Sequence, residues 1–219
     1  MKNLLRWVVL AMCSASTLAF AQANVGIVNQ INGDVKYQGA KDAAPHKLQA
    51  FAQLRHGDKI TVPAGAEIKI SYFAGNRQET WKGAANFVAT TEGGELLKGN
   101  KPEVAKLPGM VSQKLARVPE LMGTSRIGGI VVRSLSAATD KGQREKEVSE
   151  AMAAYESMRS KSGESDITPE LFIISVLLDN EMYADVKWVA DEISKRQPNN
   201  TEYRQFASWA LSQQKLHNQ

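Results

Sequence analysis

The chain has 219 residues, 43% of them hydrophobic and 23% charged, with a formal net charge of +4. At roughly 150 residues per domain it has room for one medium or two small folding units, and the composition excludes long disorder. So small a basic excess, spread among 23 acids, also excludes the electrostatic footprint of a nucleic-acid binder.

The N-terminus reads as an address. Lys2 and Arg6 are followed by an apolar run from Trp7 to Met12 and by Leu18 to Phe20. Ala21-Gln22-Ala23 then supplies the small-x-small pattern of a signal-peptidase site, so residues 1–23 are expected to be a cleaved signal peptide and the protein periplasmic. The run is shorter, and richer in Ser and Thr, than the ~20 apolar residues of a spanning helix, so no stable transmembrane anchor is expected. A lipoprotein on Cys13 is disfavoured because Met12 stands where a small residue is required. Cleavage removes this single cysteine, and with it any disulfide, thiolate nucleophile or thiolate metal ligand.

From Val25 the pattern has period two. Val25 to Val28 and Gly33 to Tyr37 flank Asn32-Gly33, a pair that favours a tight hairpin turn. Leu48, Phe51 and Leu54 lead to the turn Arg55-His56-Gly57-Asp58, then to Lys59 to Val62 and Pro63-Ala64-Gly65. In Glu67 to Tyr72, alternation puts Ile68, Ile70 and Tyr72 on one face and Lys69 and Ser71 on the other. Ala74-Gly75-Asn76, Gly83 and Glu92-Gly93-Gly94 separate three further short strands, ending near Leu97. Strands this short with turns this regular predict a compact all-β module over residues 24–100, a small sandwich or roll.

These residues carry a resemblance. The order Gly26-Ile27-Val28, Gly33-Asp34-Val35, Leu48, Leu54-Arg55-His56-Gly57-Asp58-Lys59-Ile60, Gly65, Ile68-Lys69-Ile70, Gly75 resembles the FecR domain, with its L-x-x-G-D-x-I core in place among the strands. The resemblance covers about seventy residues and implies an extracytoplasmic β module that interacts without catalysing. Members best known from iron-transport signalling also carry cytoplasmic anti-sigma helices and a membrane span. This sequence shows neither, so signal transduction is not carried over.

Residues 101–140 read as a linker. Pro102, Pro108 and Pro119 stand among lysines, with a short helix expected from Met110 to Arg117. Within it, Arg126 and Arg133 bracket Gly128, Gly129 and a β-branched run. The segment reads as a docking strand for an anion or a partner's sheet edge, or as a last strand packed on the module with solvated arginines. The second reading is preferred, because a half-buried strand needs no ligand to explain it.

Residues 141–219 switch to period 3.6. Val148, Ala151, Met152, Tyr155 and Met158 share one face, and Gly163 ends that helix. Thr168 is expected as an N-cap before Pro169, opening a helix, Leu171 to Leu178, that is apolar nearly all round. A third helix turns Tyr183, Val186, Val189, Ala190 and Ile193 inward and stops before Pro198, and Asn199-Asn200 caps a fourth with Tyr203, Phe206, Ala207, Ala210 and Leu211 on its face. The Tyr183-Ala184, Ala190, Ile193, Pro198-Asn199-Asn200 ending resembles a tetratricopeptide repeat, though stacks of these usually need about three units and one is recognisable here. A plain four-helix bundle is the alternative. The fold expected is therefore mixed α and β in separate domains, an all-β FecR-like module followed by a small all-α tetratricopeptide-like domain.

Little in the sequence suggests catalysis. His46, His56 and His217 have no partner at metal-ligand spacing, and no serine lies in a G-x-S-x-G elbow. No enzyme, cofactor or metal is expected. The leading expectation is a periplasmic scaffold that engages a protein partner in envelope signalling or assembly. The alternatives are a peptidoglycan-binding module stacking sugars on Tyr37, Tyr72, Trp81 or Phe87, with Trp81 the favoured residue, and a hydrolase whose site the sequence hides.

Overall fold

A computed structural model describes residues 23–123 and 141–217. Its strands are β1 (Asn24–Asn32), β2 (Lys36–Gln38), β3 (His46–Lys47), β4 (Gln53–Arg55), β5 (Lys59–Val62), β6 (Glu67–Tyr72), β7 (Arg77–Lys82), β8 (Ala85–Ala89), β9 (Gly94–Gly99) and β10 (Glu103–Lys106). The helices are α1 (Gly109–Gly123), α2 (Lys141–Arg159), α3 (Thr168–Asp179), α4 (Val186–Arg196, after a 3-10 turn at Tyr183–Asp185) and α5 (Thr201–His217).

The strands form two antiparallel five-stranded sheets, an inner one in the order β10-β7-β6-β1-β4 and an outer one in the order β3-β2-β5-β8-β9. Between them lies a core that includes Val28, Leu54, Ile60, Ile68, Ile70, Tyr72, Trp81 and Phe87. The alternation expected of β6 is present: Ile68, Ile70 and Tyr72 are fully buried in that core.

The Asn32-Gly33 pair, however, does not close a hairpin. β1 pairs with β4 and β6, and β2 pairs with β3 and β5. Gly33, at φ 95°, carries the chain from the inner sheet to the outer, and a Cβ there would lie 2.8 Å from that of Ala66. The glycine is used to turn a corner of the sandwich, and partners distant in sequence supply the strand pairing. The inner sheet also continues past residue 100, because β10 pairs with β7 in a segment expected as linker.

The helices cover the inner sheet's other face. A second core joins Val111, Leu115 and Val118 of α1, nearly all of α3, and residues of α2, α4 and α5 to Ile27, Ala50, Phe51 and Leu107. α3 is the buried helix its composition predicts, with every residue from Thr168 to Leu178 buried. Thr168 does not cap it. It is the first helical residue, and Asp166 Oδ1 accepts both its N–H at 2.9 Å and its hydroxyl at 2.6 Å. Asn200 does cap α5, its Oδ1 accepting the Tyr203 N–H at 3.2 Å.

Phe51 ties the two layers together. Among the described residues it is one of three non-glycine residues at positive φ, 64°, a conformation that costs about 1 kcal/mol or more. Its N–H donates to Val28 O at 2.8 Å, and its ring packs on Tyr203 and Phe206 with centroids 5.0 and 5.1 Å away. Burial of an aromatic ring offsets the backbone strain.

Candidate functional site

The site residues proposed from sequence fare differently. Arg126, Gly128, Gly129, Arg133 and Ala21 lie outside the described residues. Ala23 is exposed, and its carbonyl accepts the His56 N–H at 3.2 Å. Trp81 has no accessible face: it is 0% exposed and stacks on Phe87 with centroids 3.9 Å apart and planes 7° from parallel. Its indole N–H donates to Glu79 Oε2 at 3.0 Å. Burial therefore removes Trp81, Phe87 and Tyr72 from any sugar-stacking surface. Among the aromatics suggested for that role, Tyr37 alone is only partly buried.

Glu79, which the sequence reading passed over, organises one side of the sandwich. Its carboxylate is fully buried, and such a charge is tolerated only when donors saturate it. It accepts the indole N–H of Trp81, the backbone N–H of Gly94 at 3.0 Å and the guanidinium of Arg77. A β7 side chain thus reaches across to the first residue of β9. Gly93 and Gly94 are required here, because a Cβ on Gly93 would strike Arg77 and one on Gly94 would meet Trp81 at 2.5 Å.

The strands that flank this anchor are both edges: β9, which Glu79 reaches, ends the outer sheet, and β10, which pairs with β7, ends the inner one. They carry Leu97 and Val104, large hydrophobics that are 58% and 57% exposed. An edge strand offers unpaired backbone groups, and here their phase is fixed. Leu107 N–H donates to Asn76 O at 2.7 Å, one pair beyond the Lys106–Arg77 register of β10 with β7. Because bonded and non-bonded pairs alternate between antiparallel strands, Glu103 and Ala105 bond inward to β7, while the N–H and C=O of Val104 and Lys106 point out of the sheet. Lys82 bonds both carboxylate oxygens of Glu103, at 2.9 and 3.0 Å, and steadies the start of β10.

The opposite side of the sandwich holds a polar depression of about 260 Å³ lined by Tyr37, Gly39, Ala40, Lys41, Asp42, Gln53, Arg55 and Asp58. Asp58 closes the corner between β4 and β5: its Oδ2 accepts the Arg55 N–H at 2.8 Å, and Gly57 takes φ 91°. Burial pushes the Asp58 carboxyl above the ordinary aspartate value, against the pull of that N–H and of the Arg55 charge.

Among the described residues no group of three or more His, Cys, Asp or Glu is placed to hold a metal, and no helix is long and apolar enough to cross a membrane. Comparison with protein-family models, with curated proteins and with solved structures finds no match.

Proposed function

We propose that this chain is an exported binding protein without catalytic activity, which engages a protein partner in envelope signalling or assembly by adding the partner's strand to β10. The observation that carries the reading is the edge itself. The outward amides of Val104 and Lys106 lie in a strand exposed along its whole length. Strand addition draws affinity from main-chain bonds and specificity from alternate side chains. Lys101, Pro102 and Lys106 are of the types that guard edges against indiscriminate pairing. The partner strand is thus one with an apolar residue against Val104 and an acid near Lys106.

Kinship with the FecR domain is part of the same proposal, supported by the physical role of the L-x-x-G-D-x-I corner, where Asp58 and Gly57 turn the chain between sheets. Reading α2 with α3 and α4 with α5 as tetratricopeptide-like pairs is supported by the Asn200 cap after Pro198. Periplasmic residence follows from the expected signal peptide.

Val104→Pro tests the reading. It deletes an outward N–H and leaves the inward bonds of Glu103 and Ala105 in place, as proline on an edge strand allows. The variant should melt with the wild type and lose capture of its partner from envelope extract. Capture undiminished in Val104→Pro would rule out strand addition at β10.

A further inference from the structure

We propose that the depression beside Tyr37 binds a neutral saccharide, with one sugar ring lying against Tyr37 and its hydroxyls bonded to Asp58, Gln53 and Arg55. The proposal is independent of strand addition, since it concerns the other side of the sandwich.

The site holds unfilled hydrogen-bonding capacity that is already positioned. Asp58 is only 4% exposed. Its Oδ2 is taken by the Arg55 N–H, but its Oδ1 accepts no hydrogen bond among the described residues. Gly39 leaves the approach to that oxygen open, since an added Cβ would stand 3.6 Å from Asp58 Oδ1 and 2.8 Å from Asp42 Oδ2. Asp42 holds this wall of the site in place by accepting the Gly39 N–H at 3.0 Å. Gln53 uses its amide oxygen to accept from Asn24 Nδ2 at 3.1 Å, which leaves its NH₂ without an acceptor. Lys41 and Arg55 form no ion pair among the described residues. An open carboxylate oxygen on a side chain that the Arg55 N–H already holds in place is a preorganised acceptor for a ligand hydroxyl.

Charge and size select the class of ligand. Two carboxylates, Asp42 and Asp58, balance two cations, Lys41 and Arg55, so an anion meets the acids and a cation meets the bases. A sugar hydroxyl both donates and accepts, so adjacent hydroxyls answer Asp58 on one side and Gln53 and Arg55 on the other. Tyr37 supplies the amphipathic ring on which the C–H face of a sugar packs. About 260 Å³ lies below the ~300 Å³ at which drug-sized pockets begin. That is room for one ring, with the rest of an oligosaccharide running over the exposed rim at Ala40 and Lys41.

The test is titration of the full, isotope-labelled chain with chitotetraose, cellotetraose and maltotetraose, and with inorganic phosphate and free lysine as charged controls, read by amide NMR. At least one tetrasaccharide should shift the amides of residues 37–42 and 53–58 saturably, while phosphate and lysine leave them in place. Gln53→Ala and Arg55→Ala remove side chains outside the hydrophobic core, Gln53 giving up one exposed bond to Asn24, and each should weaken binding about tenfold. Tyr37→Ala should abolish it. The proposal is overturned if no saccharide moves those amides, if phosphate or lysine moves them instead, or if affinity is unchanged in Gln53→Ala and Arg55→Ala. A cell-wall glycan and a free sugar chain both satisfy it, and co-sedimentation with isolated peptidoglycan tells the two apart. Failure here leaves the β10 reading standing.

Discussion

Glu170 is a carboxylate placed where no water reaches it. It is 0% exposed, and Arg159 donates to it at 3.0 and 3.2 Å, with the Arg196 guanidinium at 3.2 Å and the Tyr155 hydroxyl at 3.3 Å. Arg159 also donates to the carbonyls of Ser162, Gly163 and Asp166, so the same group closes the turn between α2 and α3. Removing one partner of a buried ion pair leaves the others uncompensated, so Glu170→Ala should cost about 3–5 kcal/mol in chemical denaturation. The Tyr155 phenol is pushed up to about 12, chiefly by burial and then by the Glu170 charge. Its folded value lies above the unfolded one, so between pH 10 and about 12 the folded state keeps a proton that the unfolded state releases. Stability should therefore fall as pH rises through that window, and Tyr155→Phe should flatten the slope. A slope unchanged in the variant would place the titration elsewhere. At this scale little was legible in the sequence. Glu79 and Glu170 look like any other carboxylate in a strand or helix, and only long-range packing shows that they are sealed.

Among elements, the junction of the inner sheet with α3 is polar in the middle. Asn29 Nδ2 donates to Ser71 Oγ and to Thr168 Oγ1, both at 2.8 Å, and Gln78 Nε2 donates to Thr168 Oγ1 at 2.7 Å. The Thr168 hydroxyl donates its own hydrogen bond to Asp166, whose other oxygen pairs with Lys69 at 2.7 Å. Tyr203 OH closes the set by donating to Asn29 O. Thr168→Val keeps the shape and strands two buried amide donors, which should cost about 2–3 kcal/mol. An unchanged melting temperature would mean that water satisfies those donors. Strand and helix segments were readable here because their periods of 2 and 3.6 are local. Which strands pair was not, because the bends at Gly33, Gly57 and Gly83 change sheet while those at Gly75 and Gly93 return within one. In the sequence all five read alike, as a glycine between two short strands. Thr168 misled for a related reason: Asp166, two residues earlier, is the stronger acceptor.

For the whole molecule, the question is how far the sandwich depends on its helices. Its central core is its own, but β1 lends Ile27, and the turn before β4 lends Ala50 and Phe51, to the core of the helices. Much of the rest of the covered face is Asn29, Lys69, Ser71 and Gln78, groups that water satisfies when the helices are removed. A fragment of residues 24–107 should therefore fold cooperatively, at a lower melting temperature than the whole chain. Circular dichroism showing no sheet in that fragment would make the helices part of its folding unit. The mixture of strands followed by helices was legible from the change of period. The face-to-face packing was not, because the residues that make it are a polar set whose burial depends on what lies above them.

Eleven consecutive residues of α3, Thr168 to Leu178, are hidden in the finished molecule. A segment with no wet face has nothing to keep it dispersed before its surroundings assemble, and Leu171 to Leu178 is uncharged and rich in β-branched residues. Newly made or denatured chains will present that greasy octapeptide to one another. Recovery after dilution from denaturant should fall steeply with protein concentration, and a charge placed within the octapeptide would trade folded stability for a soluble unfolded state.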